Sequence, residues 1–179
     1  MPSNIEIKAR IADLPTTRAL VAAISDTAPE TLHQRDTFFR CANGRLKLRE
    51  FGTGASELIF YDRVNEPGAK QSSYEIALVA DPDMLRQVLH QSLGVTQVVE
   101  KTRLLYVVGQ TRVHLDSVVG LGDFLELEVV LRPEQSPAAG HAIAVDLMQK
   151  LGIRDSDLIA TAYADMLSAS KLAGDAGAL

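Results

Sequence analysis

Ionised side chains recur at alternate positions along this chain, a spacing that gathers them onto one face of an extended strand. Residues i and i+2 of a strand lie about 6.7 Å apart on the same side. Arg45, Lys47 and Arg49 therefore form a basic row, Lys101 and Arg103 a second, and Arg112, His114 and Asp116 a mixed third. Glu126 and Glu128 form an acidic row with Leu125, Leu127 and Val129 on the opposite side, and Glu6 and Lys8 repeat the pattern near the N-terminus. Two placements suit such strands. The charges either face solvent over an apolar core, or line the lumen of a closed barrel whose apolar side packs under helices. Charges in a lumen must be paired or ligand-bound to be tolerated. A triphosphate meets that need, because basic rows can contact a chain of anionic oxygens along its length, arginine by forked hydrogen bonds and lysine as a point charge. Clustered carboxylates hold hard oxygen-seeking ions such as Mg²⁺ or Mn²⁺. Acid rows beside basic rows thus suit a metal–polyphosphate complex better than a free anion.

The elements that carry these rows read mainly as strands, from period-two alternation. Candidates are the segment around Ile5–Ile11, a weaker one at Thr31–Arg40, the segment around Arg45–Arg49, then Leu58–Val64, Ser72–Val79, Val98–Val108, Thr111–Val118 and Phe124–Leu131, about eight in all. Gly52-Thr53-Gly54, Pro67-Gly68, Gly109-Gln110 and Gly120-Leu121-Gly122 supply short turns between successive runs, which implies antiparallel neighbours. Helices are expected from Asp13-Leu14-Pro15 to Ile24, after Asp81-Pro82 to Leu93, over Pro137–Leu151, and from a cap at Asp155 or Ser156 through Leu167. The expected fold is α+β, one domain over residues 1–173 with a flexible tail at 174–179.

Composition narrows the function classes. A net charge of −5 argues against a general nucleic-acid binder. The one cysteine, Cys41, excludes an intramolecular disulfide and a cysteine-rich zinc site. The polar start MPSNIEIKAR is unlike a signal peptide, and no apolar run approaches the ~20 residues that span a bilayer. A soluble cytoplasmic protein is expected, with no membrane partner, and with exposed apolar helix faces that leave a homodimer open.

Taken together, Ile5-Glu6-Ile7-Lys8, Gly44-Arg45-Leu46-Lys47-Leu48-Arg49-Glu50, Tyr74-Glu75-Ile76, Glu100-Lys101-Thr102-Arg103, Arg112-Val113-His114-Leu115-Asp116 and Phe124-Leu125-Glu126-Leu127-Glu128 resemble the CYTH domain. This is the triphosphate tunnel metalloenzyme group, which includes class IV adenylate cyclases and thiamine triphosphatases. The resemblance covers nearly the whole chain. It implies an eight-stranded antiparallel β-barrel, a triphosphate tunnel with inward charges and helices outside. By the same resemblance Lys8, Lys47, Arg49, Arg63, Lys101, Arg103 and Arg112 match triphosphate-binding positions. Arg35, on the weaker strand, is a further candidate for the tunnel. Glu6, Glu126 and Glu128 match metal ligands, with Asp116 and Glu75 close by. Glu6, Lys8, Glu126 and Glu128 are the candidate catalytic residues, acting with Mg²⁺ or Mn²⁺.

There are departures from the family pattern. Asn4 stands where the Glu-x-Glu-x-Lys motif has its first glutamate, and Ala162-Tyr163 stands where Ser-Tyr is frequent. Class IV cyclases tend to carry an upstream His-Phe pair, for which Met1–Ser3 leave no room. The expectation is therefore hydrolysis of inorganic, nucleoside or thiamine triphosphate. Adenylate cyclase is the alternative, and a non-catalytic polyphosphate- or nucleotide-binding module, favoured by Asn4, is a third reading. His114 is read as a structural hydrogen-bonding group, and Lys70 as a solvated loop lysine.

Overall fold

A computed structural model describes residues 3–63 and 70–176 of the chain, with the backbone alone described at residues 3, 63, 70–72 and 171–176. The strands are β1 (Ser3–Arg10), β2 (Glu30–Phe39), β3 (Arg45–Phe51), β4 (Ser56–Arg63), β5 (Lys70–Leu78), β6 (Val95–Val108), β7 (Thr111–Val118) and β8 (Gly122–Val130). The helices are α1 (Leu14–Ile24), α2 (Pro82–Leu93), α3 (Pro137–Lys150) and α4 (Tyr163–Ala176), with a single 3₁₀ turn at Asp155–Asp157. All strand pairs are antiparallel, and the order β1-β5-β4-β3-β2-β6-β7-β8 closes on itself as a barrel. The seam between β1 and β5 is the shortest, running from Ser3 opposite Ser73 to Glu6 opposite Lys70.

Closure settles which face is which. The outward residues Ile5 and Ile7 of β1, Val113 and Leu115 of β7, and Leu125, Leu127 and Val129 of β8 join Ala144, Leu147 and Met148 of α3 and Val21 of α1 in the main core. The apolar core thus lies outside the barrel wall, under the helices, and the charged rows point in. Gly140 allows α3 to lie close to β1, since a methyl group there would come within 2.5 Å of Leu131 and 2.8 Å of Ile5. A second cluster of Phe38, Val99, Val118, Phe124, Tyr163 and Ala164 closes one end of the lumen, with the start of α4 as its plug.

The helix starts follow the local sequence. The carboxylates of Asp13 and Asp81 accept from the amides of Thr16 and Met84, both at 3.0 Å, and the Ser136 hydroxyl accepts from Ala139 at 3.3 Å. The β6–β7 hairpin turns on Gly109 at φ +58°, a conformation that glycine adopts without penalty. The last helix differs from expectation. Asp155 starts only a 3₁₀ turn, because the next residues extend along β1. The Ile159 amide donates to the Lys8 carbonyl at 2.8 Å, and Leu158 bridges to Ala9. That contact delays the helix to Tyr163, and it then runs through Ala176. The Pro67-Gly68 turn falls outside the described residues. Among the described residues, no helix is long and apolar enough to cross a membrane.

Candidate active site

Two buried aspartates organise the basic rows. In β2, Asp36 accepts from Arg49 Nε and Nη2, both at 2.7 Å, and from Lys47 Nζ at 2.9 Å. In β7, Asp116 accepts from Arg103 Nε and Nη2, both at 2.6 Å, from Lys101 Nζ at 3.1 Å and from the Tyr163 hydroxyl at 3.2 Å. The register explains the repetition, since each aspartate is the cross-strand partner of its arginine and the lysine lies two residues earlier on the same face. Both carboxyls sit below the usual carboxylate range. Burial alone would raise them, but Arg49 and Lys47 outweigh it at Asp36, and Arg103 and Lys101 outweigh it at Asp116. Burial and the neighbouring Arg49 bring Lys47 down to about 7, while burial and Arg103 lower Lys101. Both arginines use Nε and Nη2 for these contacts, so each keeps donors available to an anion.

The acidic side is built by β1, β8 and β7. Glu6 lies opposite Glu128, which lies opposite Arg112, while Lys8 lies opposite Glu126, which lies opposite His114. Glu126 contacts Lys8 Nζ at 3.1 Å and Arg103 Nη2 at 2.7 Å. Burial works against its ionised form, yet Lys8 holds Glu126 well below the carboxylate range. Glu128 meets Arg112 at 3.4 Å and accepts from the Asn4 amide. His114 stands 3.7 Å from both glutamates, too long for a hydrogen bond, and its buried Nδ1 has no hydrogen-bond partner. Burial and Arg103 depress its pKa, so the ring is neutral at pH 7. All of these groups except Asn4 and Asp116 line one cavity of about 440 Å³.

The CYTH domain model matches residues 3–163, the span that builds this cavity. The chain belongs to the CYTH family. Comparison with curated proteins gives no match. Solved structures with the same fold include the PH1012 protein of Pyrococcus horikoshii OT3, at 22% identity and TM-score 0.82, covering 90% of this chain and 98% of that one. A candidate adenylate cyclase from Vibrio parahaemolyticus has 23% identity and TM-score 0.75, covering 92% and 97%. A Hippeastrum protein described as a candidate adenylyl cyclase with a dominant triphosphatase activity has 16% identity and TM-score 0.64, covering 90% and 91%.

Within this CYTH tunnel the structure brings Glu6, Lys8, Lys47, Arg49, Lys101, Arg103, Arg112, Glu126 and Glu128 around one cavity. Three expectations are corrected. Arg35 points outward, because Gln34 and Asp36 occupy the inward positions of β2. It pairs with Glu100 at 3.4 Å and Glu50 at 3.9 Å on the outer surface. Glu75 is likewise exposed and outward, between the inward Tyr74 and Ile76. Asp116 is no open metal ligand, since it is fully buried and committed to the donors of Arg103, Lys101 and Tyr163. The side chain of Arg63 lies outside the described residues. Arg45 belongs to the basic row but forks onto Asp165 at 2.7 and 3.2 Å, tying α4 to β3.

Sequence reasoning missed Asp36 and Gln34, and gave Tyr163 no role beyond the Ala162-Tyr163 departure from the family pattern. Alternation of Gln34, Asp36 and Phe38 was the available signal for the first two. The Tyr163 ring lies under Lys8 Nζ at 3.8 Å and Lys101 Nζ at 5.2 Å, within cation–π range of both.

The family implies a divalent metal, and the oxygen donors fit one. Glu6 and Glu128 are directly opposed carboxylates on one face, and Glu128 also meets Arg112. Beside them the buried Asn4 Oδ1 has no hydrogen-bond partner, leaving a hard carbonyl oxygen uncommitted. Among the described residues no three His, Cys, Asp or Glu side chains already form a ligand cluster. The set is thus two glutamates and an amide oxygen, with Glu126 next along β8.

Proposed function

We propose that this CYTH protein hydrolyses a triphosphate bound in its tunnel, with Mg²⁺ or Mn²⁺ held by Glu6, Glu128 and the Asn4 carbonyl, and with Glu126 adjoining. The observation that carries the reading is the pair of aspartate-anchored basic rows, Lys47–Arg49 and Lys101–Arg103, facing one cavity with Lys8 and Arg112. Their aspartates fix them before any ligand arrives, so little ordering remains to be done on binding. A string of anionic oxygens is what such donors recognise along its length. The metal, when bound, supplies charge neutralisation and Lewis acidity beside the phosphates. Lys8, Lys101 and Arg103 stabilise charge that develops on the leaving phosphate. Neutral His114, between Glu126 and Glu128, can accept a proton at Nδ1. The triphosphatase activity described for the Hippeastrum protein supports the assignment by analogy of fold.

A second reading, a non-catalytic polyphosphate-binding module, is favoured by Asn4, which cannot supply the charge of the glutamate it replaces. The test is product analysis with tripolyphosphate, ATP and thiamine triphosphate under Mg²⁺ or Mn²⁺, beside Glu128→Gln. Phosphate release by the wild type, lost in the variant, is the expected outcome. Cyclic AMP with pyrophosphate would make the protein a cyclase, and tight binding without turnover would make it a sensor.

A further inference from the structure

The tunnel wall is not charged all the way round. Leu32 of β2, Phe51 of β3, Ile59 of β4, Ile76 of β5 and Leu105 of β6 all line the same cavity as the basic rows. Exposure serves as a depth gauge. Lys8, Lys101 and Arg103 are only 6–7% exposed, whereas Ile76 is 50% exposed and Leu78, the next inward residue of β5, is 87% exposed. A cation-rich floor at the plugged end therefore passes into a mostly apolar collar at the open end, where the charged Glu57 and Arg112 also line the cavity. A lumen shaped for inorganic phosphate chains and water alone would gain from polar groups at these positions, because uncovered aliphatic side chains are poorly hydrated.

Two further observations concern the same space. The cavity of about 440 Å³ falls in the range of pockets that enclose whole organic ligands, roughly 300–1,000 Å³. Gln34, opposite both Phe51 and Lys101 in the register, sits where floor meets collar, and its buried Oε1 has no hydrogen-bond partner. Its amide can turn to meet the bridging end of a phosphate ester. Reading a nucleobase takes several convergent donors and acceptors, since discrimination comes from groups left unpaired by the wrong ligand. The collar supplies aliphatic and aromatic surface, one amide and one carboxylate, that of Glu57.

We propose that the substrate is a polyphosphate ester of an apolar alcohol, its phosphates on the basic floor and its hydrocarbon group against Leu32, Phe51, Leu105 and Ile76. The inference rests on the triphosphate reading above and adds the class of the organic group.

The test is calorimetric binding with Mg²⁺ of three methylene-bridged analogues that cannot be hydrolysed: inorganic triphosphate, ATP and n-hexyl triphosphate. Each methylene that leaves water favours binding by a few-fold, so even partial burial of the chain makes the hexyl analogue about tenfold tighter than the inorganic one. Ile76→Asn, at a half-exposed position that leaves the fold intact, reduces that ratio to about twofold, and Phe51→Ala gives an independent second reading. Inorganic triphosphate or ATP binding as tightly as the hexyl analogue would overturn the apolar-ester proposal and leave the triphosphate reading standing. Equal weakening of all three ligands in both variants would do the same. Failure of all three to bind would sink both readings together.

Discussion

Asp116→Asn isolates the electrostatic logic of the tunnel. Asp116 is fully buried and neutralises Arg103 and Lys101, themselves 6% and 7% exposed. The substitution keeps the shape but removes the charge, leaving two buried cations with Glu126 as the carboxylate still touching Arg103. Removing one partner of a buried pair costs about 3–5 kcal/mol. The remaining Glu126 contact places the expected loss near the lower end, about 3 kcal/mol, or a fall in Tm of roughly 6–12 °C for a chain of this size. Urea unfolding at pH 7 reads it as a lower midpoint at unchanged slope. Tripolyphosphate then stabilises the variant more than the wild type, because the anion supplies the charge that was removed. Arg103→Met combined with Asp116→Asn loses at least 1 kcal/mol less than the two single losses added, since the pair disappears together. A single-variant loss below 1 kcal/mol, or simple additivity, would refute the claim that Asp116 holds the basic row in place.

Lys47, brought down to about 7, makes binding pH-dependent. A bound polyanion favours its protonated form, so tripolyphosphate binding at pH 8 takes up a proton, seen as buffer-dependent binding heat, and Lys47→Arg abolishes the uptake. Lys47 titrates near 7 when folded and near 10.4 when unfolded. Between those values the unfolded chain holds more protons, so this group makes stability rise with pH across that window. Asn4→Glu places a third carboxylate beside Glu6 and Glu128 and removes the amide donor. The variant should melt lower without metal and show a larger Mn²⁺-induced Tm rise than the wild type; an unchanged Mn²⁺ response would remove Asn4 from the metal set. Gly140→Ala should destabilise by about 1–3 kcal/mol through contact with Leu131 and Ile5, against a helix-propensity gain of about 1 kcal/mol. A more stable variant in thermal melts would mean that α3 shifts freely on the barrel.

The strands were legible because their two faces differ in chemistry. Leu125, Leu127 and Val129 against Glu126 and Glu128 can be read without a structure, and β7 lies at Thr111–Val118 as the alternation predicts. On β2 both faces are mixed. His33, Arg35 and Thr37 alternate with Gln34 and Asp36, so charge type alone drew attention to Arg35 while its inward neighbour Asp36 holds Lys47 and Arg49. The apolar collar was hidden for the opposite reason. Phe51, Ile76 and Leu105 read as ordinary core positions, and only closure of the barrel turns them toward the cavity. Tyr163 acts through an extended approach along β1, a tertiary contact with no local pattern.

The strict inward–outward alternation also sets how this gene can vary. Substitutions at inward positions can rewrite the ligand site without touching the shell under α1 and α3, since neighbouring residues on a strand serve the two tasks separately. Single-codon deletions are another matter. Loss of one residue within β8 would turn Glu126 and Glu128 toward α3 and push Leu125 and Leu127 into the lumen, exchanging core and site at one stroke. The register shift between Phe38 and Phe39, which leaves Thr96 as an extra residue on β6, shows where an extra residue is accommodated, at the end of β2 and clear of the aspartate anchors. Descendants of this chain should therefore diverge by exchange of residues within strands and by length change only at the turns and that bulge.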